Sequence, residues 1–142
     1  MSVRLLDHTA DVAVEIEAAS LGALFAEAAG ALADVVTDRA TVRPAVFRRF
    51  ELAAPDLETL LVDWLGELVY VFEVDRQLFR DAEVTVTENA AGGPRLDAVA
   101  RGEAYEPERH PIKVQVKAVT HHRIEVSCRP DGTWLGRVIF DI

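Results

Sequence analysis

The sequence predicts an α+β protein with two layers, in which two main α-helices pack on one face of a mostly antiparallel or mixed β-sheet. Two observations lead to this class. Two early segments repeat apolar residues with the period of a helix, and the remaining segments alternate apolar and polar residues. The chain has 142 residues, half of them hydrophobic, which is enough for a core, so we expect residues 1–142 to form a single domain.

Both helices are indicated by apolar periodicity together with a capping residue. The first is predicted over residues 21–36, with Ser20 in the N-cap position. The second is predicted over residues 57–72, with Asp56 as its N-cap and Glu58 in the first turn, where a carboxylate complements the helix dipole. Because it is apolar over much of its circumference, we expect the second helix to be the central one.

Strands are indicated by alternation of apolar and polar residues. The segment at residues 89–94 predicts a hairpin loop, and Pro130-Asp131-Gly132 predicts a turn that joins the last two strands. The alternating segments lie at residues 12–17, 46–52, 83–87, 96–101, 112–118, 123–128 and 138–140.

Composition excludes several classes of protein. The net charge of −9 argues against a stand-alone nucleic-acid binder, since neutralising phosphates needs an excess of Lys and Arg. The most apolar region, residues 57–74, is interrupted by Asp63, Glu67 and Glu73, so we expect no membrane span. Cys128 is the one cysteine, and with Asp7 where a signal peptide needs apolar residues, we expect a cytoplasmic protein.

The first polar cluster is Asp7-His8-Thr9-Ala10-Asp11, which directly precedes a predicted strand. One interpretation is a turn in which Asp7 or Thr9 accepts hydrogen bonds from nearby backbone amides. The other is a cation site, because closely spaced carboxylates repel each other unless a positive charge lies between them.

A second cluster runs from Lys117 to His122. His121 and His122 are adjacent, and adjacent residues of an extended strand point to opposite faces, so geometry disfavours joint metal binding by the two imidazoles. Lys117 could instead pair with a carboxylate or a phosphate.

The third cluster is at residues 138–142, where an apolar strand is followed by Asp141 and Ile142. We expect this end to be docked, which would place the α-carboxylate of Ile142 beside the Asp141 side chain. If Asp11 lies on a neighbouring strand, the three groups form a hard-oxygen site of the kind that Ca²⁺ or Mg²⁺ prefers.

These clusters resemble the archease family. The resemblance covers essentially the whole chain, and in this sequence His121 and Ala13 stand where the family often has Tyr and Gly. The matching motifs are Leu6-Asp7-His8-Thr9-Ala10-Asp11-Val12, Lys117-Ala118-Val119-Thr120 and Arg137-Val138-Ile139-Phe140-Asp141-Ile142.

The resemblance implies a cytoplasmic accessory protein and not an enzyme. Its partner would be the RtcB-type RNA ligase of tRNA splicing and RNA repair, whose guanylation and multiple turnover the protein would promote. The resemblance also implies a divalent metal, Ca²⁺ with Mn²⁺ or Mg²⁺ as alternatives, bound by Asp11, the Asp141 side chain and the Ile142 carboxylate. Asp7, His8 and Lys117 would face the ligase.

Two other functions remain open at this point. One is a metal-dependent phosphoester hydrolase that uses Asp7, His8 and Asp11, which would need an activated water and a general base. The other is a chaperone-like binding protein without metal chemistry. The sequence carries no Gly-rich phosphate loop, His-Glu-x-x-His motif or Gly-x-Ser-x-Gly motif, which favours the accessory protein over the hydrolase.

Overall fold

Six strands and two long helices make up the computed structural model, which describes residues 11–142. The predicted α+β class is confirmed, and no helix within the described range is both long and apolar enough to cross a membrane. In chain order the elements are β1 (Asp11–Ala18), α1 (Leu21–Val36), a short 3-10 turn (Arg39–Thr41), β2 (Val46–Ala53), α2 (Leu57–Asp75), β3 (Gln77–Thr87), β4 (Arg95–Ala104), β5 (Ala118–Cys128) and β6 (Trp134–Asp141).

The strands divide into two antiparallel sheets of three, where the sequence had indicated one sheet. We call β1-β6-β5 the first sheet and β2-β4-β3 the second sheet. Both predicted hairpins are confirmed: Thr87 pairs with Arg95 across the β3–β4 loop, and Cys128 pairs with Trp134 across the β5–β6 turn. Gly132 supplies the positive φ of 92° that this turn requires. Pairing of β1 with β6 brings distant parts of the chain together.

Both predicted N-caps are confirmed. The Ser20 hydroxyl accepts a hydrogen bond from the Ala23 amide at 3.1 Å, and Asp56 Oδ1 accepts one from the Thr59 amide at 2.7 Å. The bond from Thr59 lowers the pKa of Asp56. At its other end α2 stops where Arg76 adopts the left-handed conformation, with φ 52° and ψ 43°.

The core joins both helices to the inner faces of both sheets in one apolar cluster. Trp64 of α2 is fully buried, and its indole nitrogen donates to the Phe25 carbonyl of α1 at 3.0 Å. Its ring also meets Phe50 of β2 edge to face, with centroids 5.4 Å apart. A buried indole that is both packed and hydrogen-bonded fixes α2 against its neighbours, as expected for the predicted central helix.

The predicted strand at residues 112–118 is wrong over residues 112–117. Residues 105–117 have no regular secondary structure, and we call this segment the strap. Its backbone groups bond elsewhere: the Lys113 amide donates to Val36 at 2.8 Å, and the Pro111 carbonyl accepts from the Thr37 hydroxyl at 2.6 Å. Because these partners lie at the end of α1, the strap forms no strand ladder over residues 112–117, so β5 begins only at Ala118 and continues through the segment predicted as a separate strand.

Candidate functional site

Asp11 and Asp141 meet at one end of the first sheet. They are direct partners in the antiparallel register of β1 and β6, so their side chains lie on the same face. Ala118 of β5 is the partner of Asp141 on its other side. The proposed hard-oxygen site required that Asp11 lie on a strand next to that of Asp141, and the structure shows that it does.

The carboxylate of Asp141 has a buried oxygen without a hydrogen bond. Oδ1 is shielded from solvent and finds no partner among the described residues. A buried anionic oxygen without a donor is costly, typically several kcal/mol, unless a cation or another donor reaches it. The oxygen therefore fits a bound metal ion, and Asp11 on the next strand adds a second hard donor.

The backbone around Asp141 is fixed by the strap and by the core. The Lys117 amide donates to the Asp141 carbonyl at 2.8 Å, and the side chain of Ile142 packs against the apolar cluster. Lys117 itself is exposed. Asp7 and His8 lie outside the described residues.

The nearest arginine on β6 is already engaged by other carboxylates. Arg137 donates to Glu15 at 2.7 Å, with Glu125 at 4.0 Å on its other side, and the bond to Glu15 raises the pKa of Arg137. Arg137 lies four positions before Asp141 on the strand, a distance of roughly 13 Å. The charge of Arg137 is thus compensated at a distance from the paired carboxylates.

His121 and His122 lie in an irregular part of β5, where the register with β6 breaks between Thr120 and Glu125. Both imidazoles are exposed, and Arg123 beside them has a positive φ of 55°. Within residues 11–142 no three His, Cys, Asp or Glu side chains are grouped to hold a metal ion. Any metal at Asp11 and Asp141 therefore needs a further ligand that is not a described side chain of these types.

A buried carboxylate, that of Glu103, was missed by the sequence analysis. It is 7% exposed and accepts four hydrogen bonds: two from Arg109 at 2.7 and 2.8 Å, one from the Arg43 amide at 2.8 Å and one from His110 Nε2 at 2.9 Å. The bonds from Arg109, above all, hold the pKa of Glu103 far below its usual range. We call Glu103, Arg109 and His110 the Glu103 cluster.

The tautomer of His110 follows from its partners. His110 is fully buried, and its Nδ1 accepts a hydrogen bond from the Glu106 amide at 2.8 Å. The proton must then be on Nε2, which donates to Glu103. The cluster ties the beginning of the strap to the end of β4. Only the mixture of acids with Arg109-His110 at residues 103–110 could have indicated it, and such a mixture is common on exposed loops.

Comparison with known proteins identifies the family that shares this fold. Residues 4–142 match the model of the archease protein family (MTH1598/TM1083). The proteins named archease from Methanosarcina acetivorans and Methanopyrus kandleri are each 41% identical over 137 residues. These matches cover 96% of this chain and 93% and 96% of the relatives.

Two solved structures have a fold similar to that of this chain. The solution structure of protein 1598 from Methanobacterium thermoautotrophicum has a TM-score of 0.78 and 35% identity, and the match covers 96% of this chain and 95% of that one. A crystal structure from Thermotoga maritima, described as an archease and possible chaperone, has a TM-score of 0.67, 17% identity and coverage of 99% and 97%, which shows a shared fold.

The molecule is thus a small α+β protein with two three-stranded antiparallel sheets and paired carboxylates at the end of one of them. The chain belongs to the archease family.

Proposed function

We propose that this protein is a non-enzymatic, cytoplasmic activator of an RtcB-type RNA ligase. It would promote guanylation of the ligase and its multiple turnover in tRNA splicing and RNA repair, with a divalent metal at Asp11, Asp141 and the Ile142 carboxylate. The partner is inferred from membership of the archease family. The single observation that supports the metal is the buried Oδ1 of Asp141, which has no donor among the described residues and lies in a strand pair with Asp11.

The chemistry of the donors favours a hard cation. Asp11, Asp141 and a main-chain carboxylate offer oxygen atoms alone, which suit Ca²⁺, with Mn²⁺ or Mg²⁺ as alternatives. A divalent ion offsets most of the negative charge that the three groups bring to one end of the first sheet. It also supplies the electrostatic partner that Oδ1 lacks.

The net charge of the chain fits a protein that acts on an RNA ligase but does not itself bind RNA. With a net charge of −9 the protein repels phosphates, whereas a ligase centre that binds GTP and metal ions must be cationic. We infer that the carboxylate end of the first sheet docks near this centre, with Lys117 and the residues Asp7 and His8 facing the ligase.

Calorimetric titration with Ca²⁺ tests the metal site. Asp141→Asn and Asp11→Asn should each weaken binding by at least about tenfold, because each removes an anionic donor. The matched control is Asp97→Asn, since Asp97 pairs with Glu51 across β2 and β4 as Asp11 pairs with Asp141. Equal affinity in Asp141→Asn and wild type would refute the site.

An extension after Ile142 tests the third ligand. It converts the α-carboxylate into an amide, so the calcium affinity should fall while the apolar side chain stays in place. Unchanged affinity in the extended protein would remove Ile142 from the set of ligands.

Single-turnover guanylation of the cognate ligase tests the function. Wild-type protein at limiting ligase should increase the guanylated fraction, whereas Asp141→Asn should not. Lys117→Ala should reduce stimulation, with Lys113→Ala as its control, since both lysines lie in the strap. Stimulation by Asp141→Asn at the wild-type level contradicts the proposal, and so does turnover of phosphoesters by the protein alone.

A further inference from the structure

A cavity of about 320 Å³ lies between the C-terminal halves of α1 and α2. The start of β3 and the strap form its other walls. On α1 the small residues Ala29 and Ala33 line the space, and on α2 Leu68 and Phe72 do so. A volume of this size is far larger than a packing defect and falls at the lower end of the range for small-molecule sites.

The lining of the cavity is mostly apolar, and it includes one exposed cation and one exposed carboxylate. Its charged lining residues are Arg76 and Glu73, and the guanidinium carbon of Arg76 lies 5.6 Å from the centre of the Phe72 ring. No ion pair between described residues includes Arg76, although Glu73 is only three positions earlier in the chain. The side-chain amides of Gln77 and Gln115 line the same cavity and can donate hydrogen bonds.

The conformation of Arg76 explains its position. It is the C-cap of α2, and its left-handed backbone turns the chain out of the helix and into β3. The cation–π contact with Phe72 then orients the guanidinium without neutralising it. An apolar cavity that carries an exposed guanidinium with no ion pair to a described carboxylate is complementary to a molecule with an apolar body and one negative head group.

We propose that this cavity is a binding site for an amphipathic organic carboxylate. The apolar body lies between the small residues of α1 and the apolar residues of α2, and the carboxylate pairs with Arg76. This site is separate from the carboxylates of the first sheet, and the proposal is independent of the ligase.

A series of probes with one chain and three head groups tests the proposal. We expect octanoate to cause saturable shifts of the Leu32, Phe72 and Val116 amides in ¹H–¹⁵N spectra of the whole protein. Octan-1-ol should bind about fivefold more weakly, because it lacks the charge that pairs with Arg76. Octylammonium should bind still more weakly. Equal affinity for the three probes would overturn the assignment of the head group.

Two variants locate the binding. Ala33→Leu fills the cavity and should abolish the shifts, and its spectrum without ligand reports whether the fold is retained. Arg76→Asn should weaken octanoate about fivefold with little strain, because Asn tolerates the left-handed conformation. The control is Arg95→Asn, at an exposed arginine of β4 that does not line the cavity. Wild-type octanoate binding in either Ala33→Leu or Arg76→Asn would overturn the proposal.

Discussion

Within residues 11–142, the buried carboxylate of Glu103 and the shielded oxygen of the half-buried Asp141 have opposite environments. Glu103 accepts hydrogen bonds from Arg109, His110 and the Arg43 amide. Asp141 has one oxygen that is equally hidden and accepts none from the described residues. Glu103, which stabilises the fold, is therefore paired with a cation of the chain itself, Arg109. Asp141, where we propose that a metal binds, has no such partner among the described residues.

This difference predicts that substitutions of Glu103 change stability, whereas substitutions of Asp141 change metal binding. Removing Glu103 leaves the buried His110 without its acceptor and Arg109 with Glu106 alone, so the loss should appear in stability. Removing the charge of Asp141 deprives no described side chain of a hydrogen bond, so the loss should appear in binding.

The largest expected effect is that of Glu103→Gln. Glu103 is buried and accepts four hydrogen bonds, two of them from the partly buried Arg109, so replacing its carboxylate should lower the free energy of unfolding by about 3 kcal/mol. Denaturant titration measures this, and calcium affinity should stay within about twofold of wild type if the metal site is independent. Glu106→Gln is the control, because Glu106 also contacts Arg109 at 2.9 Å but is exposed, and it should change stability little. If Glu103→Gln changed the free energy of unfolding as little as Glu106→Gln, Glu103 would not have the stabilising role that distinguishes it from Asp141.

A smaller effect is expected from acid. The pKa of Glu103 is lowered in the folded protein from its ordinary value of 4.5, so below pH 4.5 the unfolded chain binds the proton more readily. Its stabilising contribution is complete above pH 4.5 and decreases as the pH falls, by up to about 2 kcal/mol at pH 3. Urea titrations above pH 4.5 and at pH 3 measure the change in the free energy of unfolding. Glu103→Gln should show a shallower decrease, and parallel curves for the two proteins would contradict this origin.

The smallest expected effect is that of Asp141→Asn on the protein without metal. Replacing an uncompensated carboxylate beside Asp11 by a neutral amide should raise the free energy of unfolding by about 1 kcal/mol in the presence of a chelator. Added Ca²⁺ should cancel this advantage, because only the wild type gains from it. Destabilisation of the metal-free variant would mean that a group of the protein already satisfies Asp141.

The Asp11–Asp141 pair could be anticipated from the sequence because its residues sit at the ends of alternating segments. Alternation shows which residues share a face of a strand, and the resemblance to the archease family implied that the two carboxylates belong to one site. The N-caps Ser20 and Asp56 were equally accessible, since a cap depends on residues three positions away. Local spacing carries this information directly.

The Glu103 cluster and the strap could not be predicted in the same way. Glu103 follows the positions of β4 that alternation assigns to the polar face, so its sequence position predicts an exposed side chain. It is buried because the strap brings Arg109 back against it. The strap alternates like a strand, yet Val36, Thr37 and Asp141 provide its hydrogen-bond partners. The division into two sheets is hidden for the same reason, because alternation does not reveal which strands pair.

The pairing of β1 with β6 has a consequence for biosynthesis. Residues 11–18 emerge from the ribosome more than a hundred residues before their partners at residues 134–141. The second sheet and the β3–β4 hairpin can assemble during translation, whereas β1 must wait with its edge unpaired until β6 arrives. Asp11 and Asp141 can therefore come together only after nearly all of the described chain has been synthesised, so this end of the first sheet cannot form co-translationally at an early stage.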